Sequence, residues 1–232
     1  MGKMFEPELQ EIVTEYAKRA QRHRGPDPSG TARLATLERA TRSLLAQEIS
    51  DPLVTWRVLD VGCGSGRFLD WLWNWGATST YLHGIDLLPD RIAAAHERHP
   101  ERDYITGSAH DLPYLNASFD LVHASLLFSS LPSRQLRQAV ASEMLRVVRP
   151  GGLALVYDFT LNNPSNPAVH GIPRREIRRL FGDRATSYVD RRLTLAPPLA
   201  RMLARLHLDA TATQLERWGG FNTHRLTAIH VH

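Results

Sequence analysis

Cysteine is nearly absent from this sequence. The one cysteine, Cys63, excludes an internal disulfide and a cysteine-rich metal site, and we predict no metal centre. Long apolar runs are also missing, since the stretch 153–157 is far shorter than the roughly 18 residues that span a membrane. The first residues carry neither the apolar core of a signal peptide nor, at Glu6, the hydroxyl residue of a myristoylation site. We therefore expect a cytoplasmic protein that does not insert into membranes.

The charge balance says little about partners. The 232 residues include 28 lysines and arginines against 24 acidic residues, a net charge of +4. This mild excess permits a nucleic-acid partner but does not argue for one, because arginine is also a common surface residue. Hydrophobic residues make up 43% of the chain, which is enough for a folded core.

Two helices are predicted at the start of the chain. Apolar residues recur at helical spacing in 6–24 and again in 31–49. The glycines and prolines of 25–30 predict a loop between them. We expect residues 1–50 to form part of a lid, in which Tyr16 closes the site from its side.

Strands and helices alternate through the middle of the chain. Five short apolar stretches predict strands, at 57–61, 81–86, 103–106, 119–125 and 153–158. Amphipathic stretches between them predict three helices: one that contains Phe68 and Trp75, one at 89–98 and one at 133–148. Such alternation is typical of a parallel sheet with helices on both faces.

The alternation stops after Phe159. The rest of the chain predicts a loop at 162–167, a basic helix at 173–181, a helix at 197–207, and strands at 186–195 and 223–231. We therefore predict an α/β fold: a Rossmann-like, doubly wound sheet of seven strands, mostly parallel, closed by an antiparallel C-terminal hairpin.

A glycine-rich loop after the first predicted strand is the most informative motif. Gly62, Gly64 and Gly66 follow an apolar strand and precede a helix. Glycine permits positive φ and lets a ligand approach the backbone, while the free N–H groups of the helix face that ligand. Asp86 ends the next strand, 20 residues after Gly66, where an acid accepts hydrogen bonds from ribose hydroxyls in nucleotide-binding folds. The pattern predicts a ligand that contains a nucleoside.

The loop spacing separates two classes of nucleoside ligand. The dinucleotide fingerprint is G-x-G-x-x-G, whereas this loop is G-x-G-x-G. Asp60, at the end of the first strand, would repel a pyrophosphate but suits a cationic amino-acid group. These features favour a ligand with an ammonium group and no phosphate.

With its flanking motifs, this region resembles the class I S-adenosylmethionine-dependent methyltransferases, in particular a type 11-like bacterial branch that acts on small molecules. The stretch 58–66 resembles their first motif and 84–87 their second; 107–113 with 119–122 resembles the adenine-side loop and fourth strand, and 145–152 the turn before the fifth strand. The resemblance covers close to half of the chain. It implies S-adenosylmethionine as methyl donor and S-adenosylhomocysteine as product.

The resemblance also assigns expected roles. Asp60 and the loop would hold the methionine part and Asp86 the ribose, while Ala109 and His110 would lie by the adenine. Ser108 stands where the family often has an acid that contacts the adenine amino group, and a serine oxygen can accept the same hydrogen bond. The full expected cofactor set is Tyr16, Asp60, Gly62, Cys63, Gly64, Gly66, Asp86, Leu87, Ser108, Ala109, His110 and His123.

The acceptor would lie above the carboxyl ends of the strands, where a base is needed if the acceptor atom is oxygen. His123, Tyr157 and Asp158 stand at predicted strand ends, and His170 follows in a later loop. We take these four as candidate catalytic residues. The domain at 51–232, with 160–218 on the acceptor side, would transfer a methyl group by in-line displacement to a small molecule such as a natural product, sugar or glycan precursor, with oxygen favoured. We expect a monomer or homodimer.

Other functions remain open on the sequence. Methylases of nucleic-acid amino groups carry Asn/Asp-Pro-Pro-aromatic after the fourth strand, and 123–126 lacks it. RNA or protein methylation and a non-catalytic binding protein are the alternatives that we retain, and an NAD-dependent oxidoreductase is a distant one. The arginines of 174–179 suit either an acidic acceptor or, in the interpretation that we favour, a solvated helix face.

Overall fold

The computed structural model describes residues 4–22, 28–162, 166, 168–182, 184–196, 199, 202–203, 205–206 and 208–232. Within them lie seven helices: α1 Glu6–Arg22, α2 Pro28–Glu48, α3 Arg67–Asn74, α4 Pro89–Arg98, α5 Arg134–Val147, α6 Arg174–Phe181 and α7 Asp209–Trp218. The seven strands are β1 Val58–Val61, β2 Leu82–Asp86, β3 Asp103–Thr106, β4 Phe119–Ser125, β5 Val148–Phe159, β6 Ala185–Leu195 and β7 Asn222–Val231.

One sheet contains all seven strands, in the order β3-β2-β1-β4-β5-β7-β6. The first five strands pair in parallel, and β7 runs antiparallel to both β5 and β6. The predicted doubly wound sheet with an antiparallel C-terminal hairpin is confirmed. Because β1 lies between β2 and β4, the chain changes direction across the sheet there, and a crevice for ligands opens at the carboxyl ends of these strands.

Apolar side chains cover both faces of the sheet, because neighbouring residues of a strand point to opposite sides. Leu59 and Val61 of β1 belong to one core cluster, which includes residues of α5 and α6. Val58 belongs to the other, which includes residues of α2, α3 and α4. No helix in the described ranges is both long enough and apolar enough to cross a membrane.

Several boundaries differ from the sequence prediction. The loop predicted at 25–30 is shorter, because α2 already begins at Pro28, whose fixed φ suits the first turn of a helix; residues 25–27 lie outside the described residues. β5 begins at Val148 and takes in the glycines expected to form a turn, with an irregular register opposite β4.

The C-terminal part differs more. Helix α7 was not predicted, although Gly219, with φ of 77°, ends it in the left-handed conformation typical of a helix stop. Parts of the loop predicted at 162–167 and of the helix predicted at 197–207 lie outside the described residues.

Candidate active site

A cavity of about 310 Å³ lies at the carboxyl ends of β1, β2, β4 and β5, against α1. One part of its surface, here named the loop wall, consists of Gly62, Ile85, Asp86, Leu87, Leu88, Arg91, Gly107, Ser108 and Ala109. Another part, the apolar wall, consists of Leu9, Ile12, Tyr16, Leu127, Ser129, Ser130, Leu131, Leu136, Val140, Phe159 and Val169. Ser125 and Leu126 complete the lining.

The glycine loop has a backbone that side chains would disrupt. Gly62, Gly64 and Gly66 have φ of 73°, 55° and 83°, in the left-handed region that favours glycine. A Cβ on Gly66 would collide with the phenol of Tyr104, so this position is closed to any side chain. The amides of Gly62 and Cys63 donate to the Ile85 carbonyl over 2.8 and 3.0 Å, which ties the loop to β2.

Asp86 presents its carboxylate to the cavity at the end of β2. One oxygen accepts from the Gly64 amide at 2.8 Å and the other from the Leu88 amide at 3.0 Å. A carboxylate has about four acceptor sites, so these two bonds leave capacity for the hydroxyls of a ligand. Nη1 of Arg91 stands 3.7 Å from Asp86 Oδ2, and its guanidinium lies 4.4 Å from the centre of the Tyr16 ring. Tyr16 therefore lines the same cavity as Asp86.

The far end of the loop wall is formed by Leu87, Ser108 and Ala109. The hydroxyl of Ser108 lies 2.6 Å from Nδ1 of His110. The ring of His110 packs edge-on against Phe5, with 5.1 Å between ring centres, and does not itself line the cavity. The Ser108 hydroxyl therefore already has a partner in His110.

Asp60 and His123 form a buried pair beneath the glycine loop. A 2.7 Å hydrogen bond joins His123 Nδ1 to Asp60 Oδ1, and the two side chains lie opposite each other on β4 and β1. The imidazole also stacks on Phe68, with 3.6 Å between ring centres. Neither residue lines the cavity, and Asp60 precedes the glycine loop by two positions.

Cys63 belongs to the same loop, and its sulfur packs close to Gly84. Burial, together with the nearby carboxylates of Asp60 and Asp86, raises the pKa of the Cys63 thiol far above its ordinary value. The thiol is therefore protonated and unreactive at neutral pH. The buried location of the Cys63 side chain indicates that it contributes to packing.

Tyr157 and Asp158 are neighbours on β5, and their side chains lie in different surroundings. The hydroxyl of Tyr157 lies 2.9 Å from Thr194 Oγ1, and its ring stacks on His224 within the core cluster of the α2 face. Burial raises its pKa to about 12. Asp158 instead accepts from the amide of Ser129, a residue of the apolar wall, at 3.1 Å.

The Asp158 carboxyl is buried, and its second oxygen accepts from the Phe159 amide at 2.8 Å. Burial raises its pKa to about 6, although the hydrogen bonds that it accepts act in the opposite direction. A carboxyl with a pKa of about 6 is largely ionised at neutral pH and still basic enough to take a proton.

His170 lies outside the main cavity. Its amide donates to the Ser129 carbonyl at 2.9 Å, and its side chain lines a smaller cavity of about 30 Å³ beside α1. This outer cavity shares Ile12, Tyr16 and Ser130 with the main one. The structure thus brings Tyr16, Gly62, Asp86, Leu87, Ser108 and Ala109 together around the main cavity, and places Asp60, Cys63, Gly64, Gly66, His110, His123, Tyr157, Asp158 and His170 outside its lining.

Known proteins resemble this chain both in sequence and in fold. A family model described as "Methyltransferase domain" matches residues 59–156. The phthiotriol/phenolphthiotriol dimycocerosates methyltransferase of Mycobacterium leprae is 30% identical over 192 residues, which cover 73% of this chain and 67% of that protein. The uncharacterized methyltransferase sll0829 of Synechocystis sp. is 37% identical over 110 residues, or 47% of this chain, so the chain spans about half of its length (49%).

The chain belongs to the class I S-adenosylmethionine-dependent methyltransferases of type 11. Among solved structures, the PH0226 protein of Pyrococcus horikoshii OT3 has the same fold, with a TM-score of 0.63 at 18% identity. That match covers 89% of this methyltransferase and 92% of the other chain.

The residues of the loop wall fit the family's methyl donor, S-adenosylmethionine. Asp86 offers acceptor capacity for two ribose hydroxyls, and Ile85, Leu87 and Ala109 offer apolar surface to an adenine ring. Gly62 has no side chain between the loop backbone and the cavity, and a Cβ there would come within 3.2 Å of Leu127. The chemistry of this donor set therefore matches a nucleoside with an amino-acid tail.

Sequence reasoning missed several residues of this methyltransferase's cavity. Arg91 carries a usable signal, because it follows Asp86 by five residues in the first turn of a helix that starts at the strand end. Ser129 and Ser130 belong to the short 3₁₀ segment Phe128–Ser130 after β4, which no periodicity predicts, and Leu127 directly precedes it. Leu9 and Ile12 were recognised as apolar positions of α1, but their contact with the cavity follows only from the tertiary fold.

Proposed function

We propose that this chain transfers the methyl group of S-adenosylmethionine to a hydroxyl group of a small-molecule acceptor. The observation that carries the proposal is the single cavity in which the loop wall and the apolar wall meet under α1. The first wall suits the methyl donor, and the second leaves room for an acceptor beside it. The alignment of two reactants in a site that excludes water supplies much of the acceleration in such reactions.

The chain's own residues would act as binders and positioners. S-adenosylmethionine, when bound, supplies an activated methyl group. Asp86 accepts hydrogen bonds from the ribose, and the loop keeps its backbone open to the amino-acid tail. Asp158, held by the Ser129 amide at the edge of the apolar wall, is the group that we assign to receive the proton of the acceptor hydroxyl. His123 would act through Asp60 as a positioning residue.

Helix α1 covers the cavity, which favours a small acceptor over a macromolecule. Leu9, Ile12 and Tyr16 of α1 line the cavity, and the Tyr16 hydroxyl lies 3.2 Å from Ser130 Oγ, so a helix lies across the acceptor side. The Mycobacterium leprae relative is named a methyltransferase of phthiotriol and phenolphthiotriol dimycocerosates, which supports a small molecule. Other similar proteins are named malonyl-[acyl-carrier protein] O-methyltransferases, which supports oxygen as the acceptor atom.

The first experiment is a calorimetric titration with S-adenosylhomocysteine, with NADH as the comparison ligand. We expect micromolar binding that Asp86→Ala weakens at least tenfold, equivalent to about 1.4 kcal/mol. Asp90→Ala is the matched control, because this acid is exposed in the first turn of α4, away from the cavity. Absence of binding, equal losses in both variants, or tight NADH binding would contradict the proposal.

The second experiment identifies the acceptor atom. Matched alcohols, amines and thiols are incubated with S-adenosylmethionine, and product mass and S-adenosylhomocysteine are both measured. Methylation of alcohols alone supports the proposal. Methylation confined to amines or thiols would refute the oxygen assignment while leaving methyl transfer intact.

A further inference from the structure

The apolar wall contains no charged side chain. Its aliphatic members come from four separate parts of the chain: Leu9, Ile12, Leu127, Leu131, Leu136, Val140 and Val169. The charged residues that line the described cavity are Asp86 and Arg91, and both belong to the loop wall. They stand 3.7 Å apart, and Arg91 also stacks on Tyr16. An acceptor seated against the apolar wall therefore finds no counter-charge among its members.

Most hydroxyl groups of this wall already have partners. Ser130 Oγ donates to the Leu126 carbonyl at 3.1 Å and lies 3.2 Å from the Tyr16 hydroxyl. Ser129 differs, because its buried Oγ makes no protein hydrogen bond of normal geometry and interacts with the Asp158 carboxyl, whose pKa it helps to lower. A buried hydroxyl without a well-formed hydrogen bond costs free energy, which a ligand hydroxyl at this position would recover.

The residues of the outer cavity also bear on the charge of a molecule that enters it. Glu11, Glu15 and His170 line it, and it shares Ile12, Tyr16 and Ser130 with the main cavity. The lining described for this outer cavity includes no lysine or arginine that would attract an anionic molecule passing under α1. Burial of a carboxylate against aliphatic side chains without a counter-charge is itself strongly unfavourable.

We propose that the acceptor is an uncharged, predominantly aliphatic alcohol that lies against Leu131, Leu136 and Val140 and hydrogen-bonds through its hydroxyl to Ser129 Oγ. This assignment rests on the proposed function and names its substrate class. It implies that affinity rises with aliphatic chain length, by about fourfold for each additional buried methylene. It also implies that a carboxylate of equal length is rejected.

The test is direct binding to the protein saturated with S-adenosylhomocysteine, with 1-hexanol, 1-heptanol, 1-octanol and octanoate as probes at pH 8. We expect the alcohols to bind with affinities that rise along the series, and octanoate to bind at least tenfold more weakly than 1-octanol. Equal or tighter binding of octanoate, or no gain with chain length, overturns the inference. If S-adenosylhomocysteine itself does not bind, the proposed function fails instead, so the two failures are distinguishable.

Two neighbouring residues of α1 provide a matched pair of variants. Ile12 lines both cavities, whereas Val13 is half-buried on the same helix and lines neither. We expect Ile12→Asn to weaken 1-octanol binding at least fivefold and Val13→Asn to leave it unchanged, with S-adenosylhomocysteine affinity preserved in both. Equal effects of the two substitutions on 1-octanol would overturn the placement.

Ser129→Ala tests the hydroxyl contact separately. The variant removes an oxygen that makes no hydrogen bond of normal geometry within the described residues, so the fold is expected to persist. Loss of one hydrogen bond predicts a two- to tenfold weaker affinity for 1-octanol. Binding of octane thiol, a poor hydrogen-bond partner of the same length, should not change. An unchanged 1-octanol affinity would refute the contact with Ser129.

Discussion

The two walls of the cavity are built in different ways. The loop wall depends on the backbone: three glycines with positive φ, two amides that donate to the Ile85 carbonyl, and the Asp86 carboxylate that accepts from the Gly64 and Leu88 amides. The apolar wall depends on side chains from α1, the segment after β4, α5 and the segment after β5. The first wall constrains residue type strictly, whereas the second requires only apolar volume, which many sequences can supply.

The largest expected effect tests how strict the loop wall is. Gly66→Ala requires a left-handed backbone, which costs about 1–2 kcal/mol for a residue with a Cβ, and brings that Cβ into collision with the Tyr104 phenol. The collision should add roughly 1–3 kcal/mol to the loss of unfolding free energy. We also expect S-adenosylhomocysteine affinity to fall by tenfold or more.

Gly76→Ala is the matched control for this substitution. Gly76 also has a positive φ, 104°, but a Cβ there meets no atom within 4 Å. Denaturant unfolding of both variants separates the backbone cost from the collision. Equal losses of stability would show that the loop tolerates a side chain and that the contrast between the walls is weaker than we infer.

The next effect concerns the buried acid behind the apolar wall. The pKa of Asp158 rises from 3.8 to about 6 on folding, so its favourable contribution is complete below pH 4 and is lost as the pH rises through 6. This loss amounts to about 3 kcal/mol. In Asp158→Asn it is absent, so the unfolding free energy of the variant relative to wild type should rise by about that amount between pH 4 and pH 7.

Urea unfolding at a series of pH values measures this difference. Asp90→Asn, which changes an exposed carboxyl, gives the baseline. A flat difference for Asp158→Asn would mean that its carboxyl is not desolvated, and would remove the physical basis for its assignment as proton acceptor.

The smallest expected effect concerns the contact between the walls. Arg91→Met removes a guanidinium that is 39% exposed, stands 3.7 Å from Asp86 and stacks on Tyr16. At this exposure we expect a loss of about 0.5–1 kcal/mol in unfolding free energy. Arg67→Met, at an exposed position that begins α3, is the comparison. A loss above roughly 2 kcal/mol would show that the walls are coupled more tightly than two separate elements.

Strand β5 shows which features of the site can be predicted from the sequence and which cannot. Tyr157 and Asp158 were both predicted at a strand end, and both are there. Successive residues of a strand face opposite sides, so only one of them can lie toward the cavity, and the sequence does not say which. The fold places Asp158 against Ser129 and Tyr157 against His224.

The candidate histidines His123 and His170 show the same limit of sequence reasoning, because their contacts depend on the tertiary fold. His123 was predicted at the end of β4, but its partner became visible only when the parallel register placed Asp60 opposite it. His170 lies beside the outer cavity because its amide bonds to Ser129, a contact across 41 positions in the sequence that no local pattern encodes. Its role as a catalytic residue stays a prediction.

The features that could be predicted from the sequence alone are those that depend on local chemistry. The alternation of strands and helices, the glycines that permit positive φ and an acid 20 residues beyond them predicted the sheet and the loop wall, because each depends on residues close together in the chain. The tertiary structure decided the apolar wall. This wall joins aliphatic residues from distant parts of the chain, and the buried Ser129 hydroxyl, which lacks a hydrogen bond of normal geometry in the described residues, acquires meaning only through what packs around it.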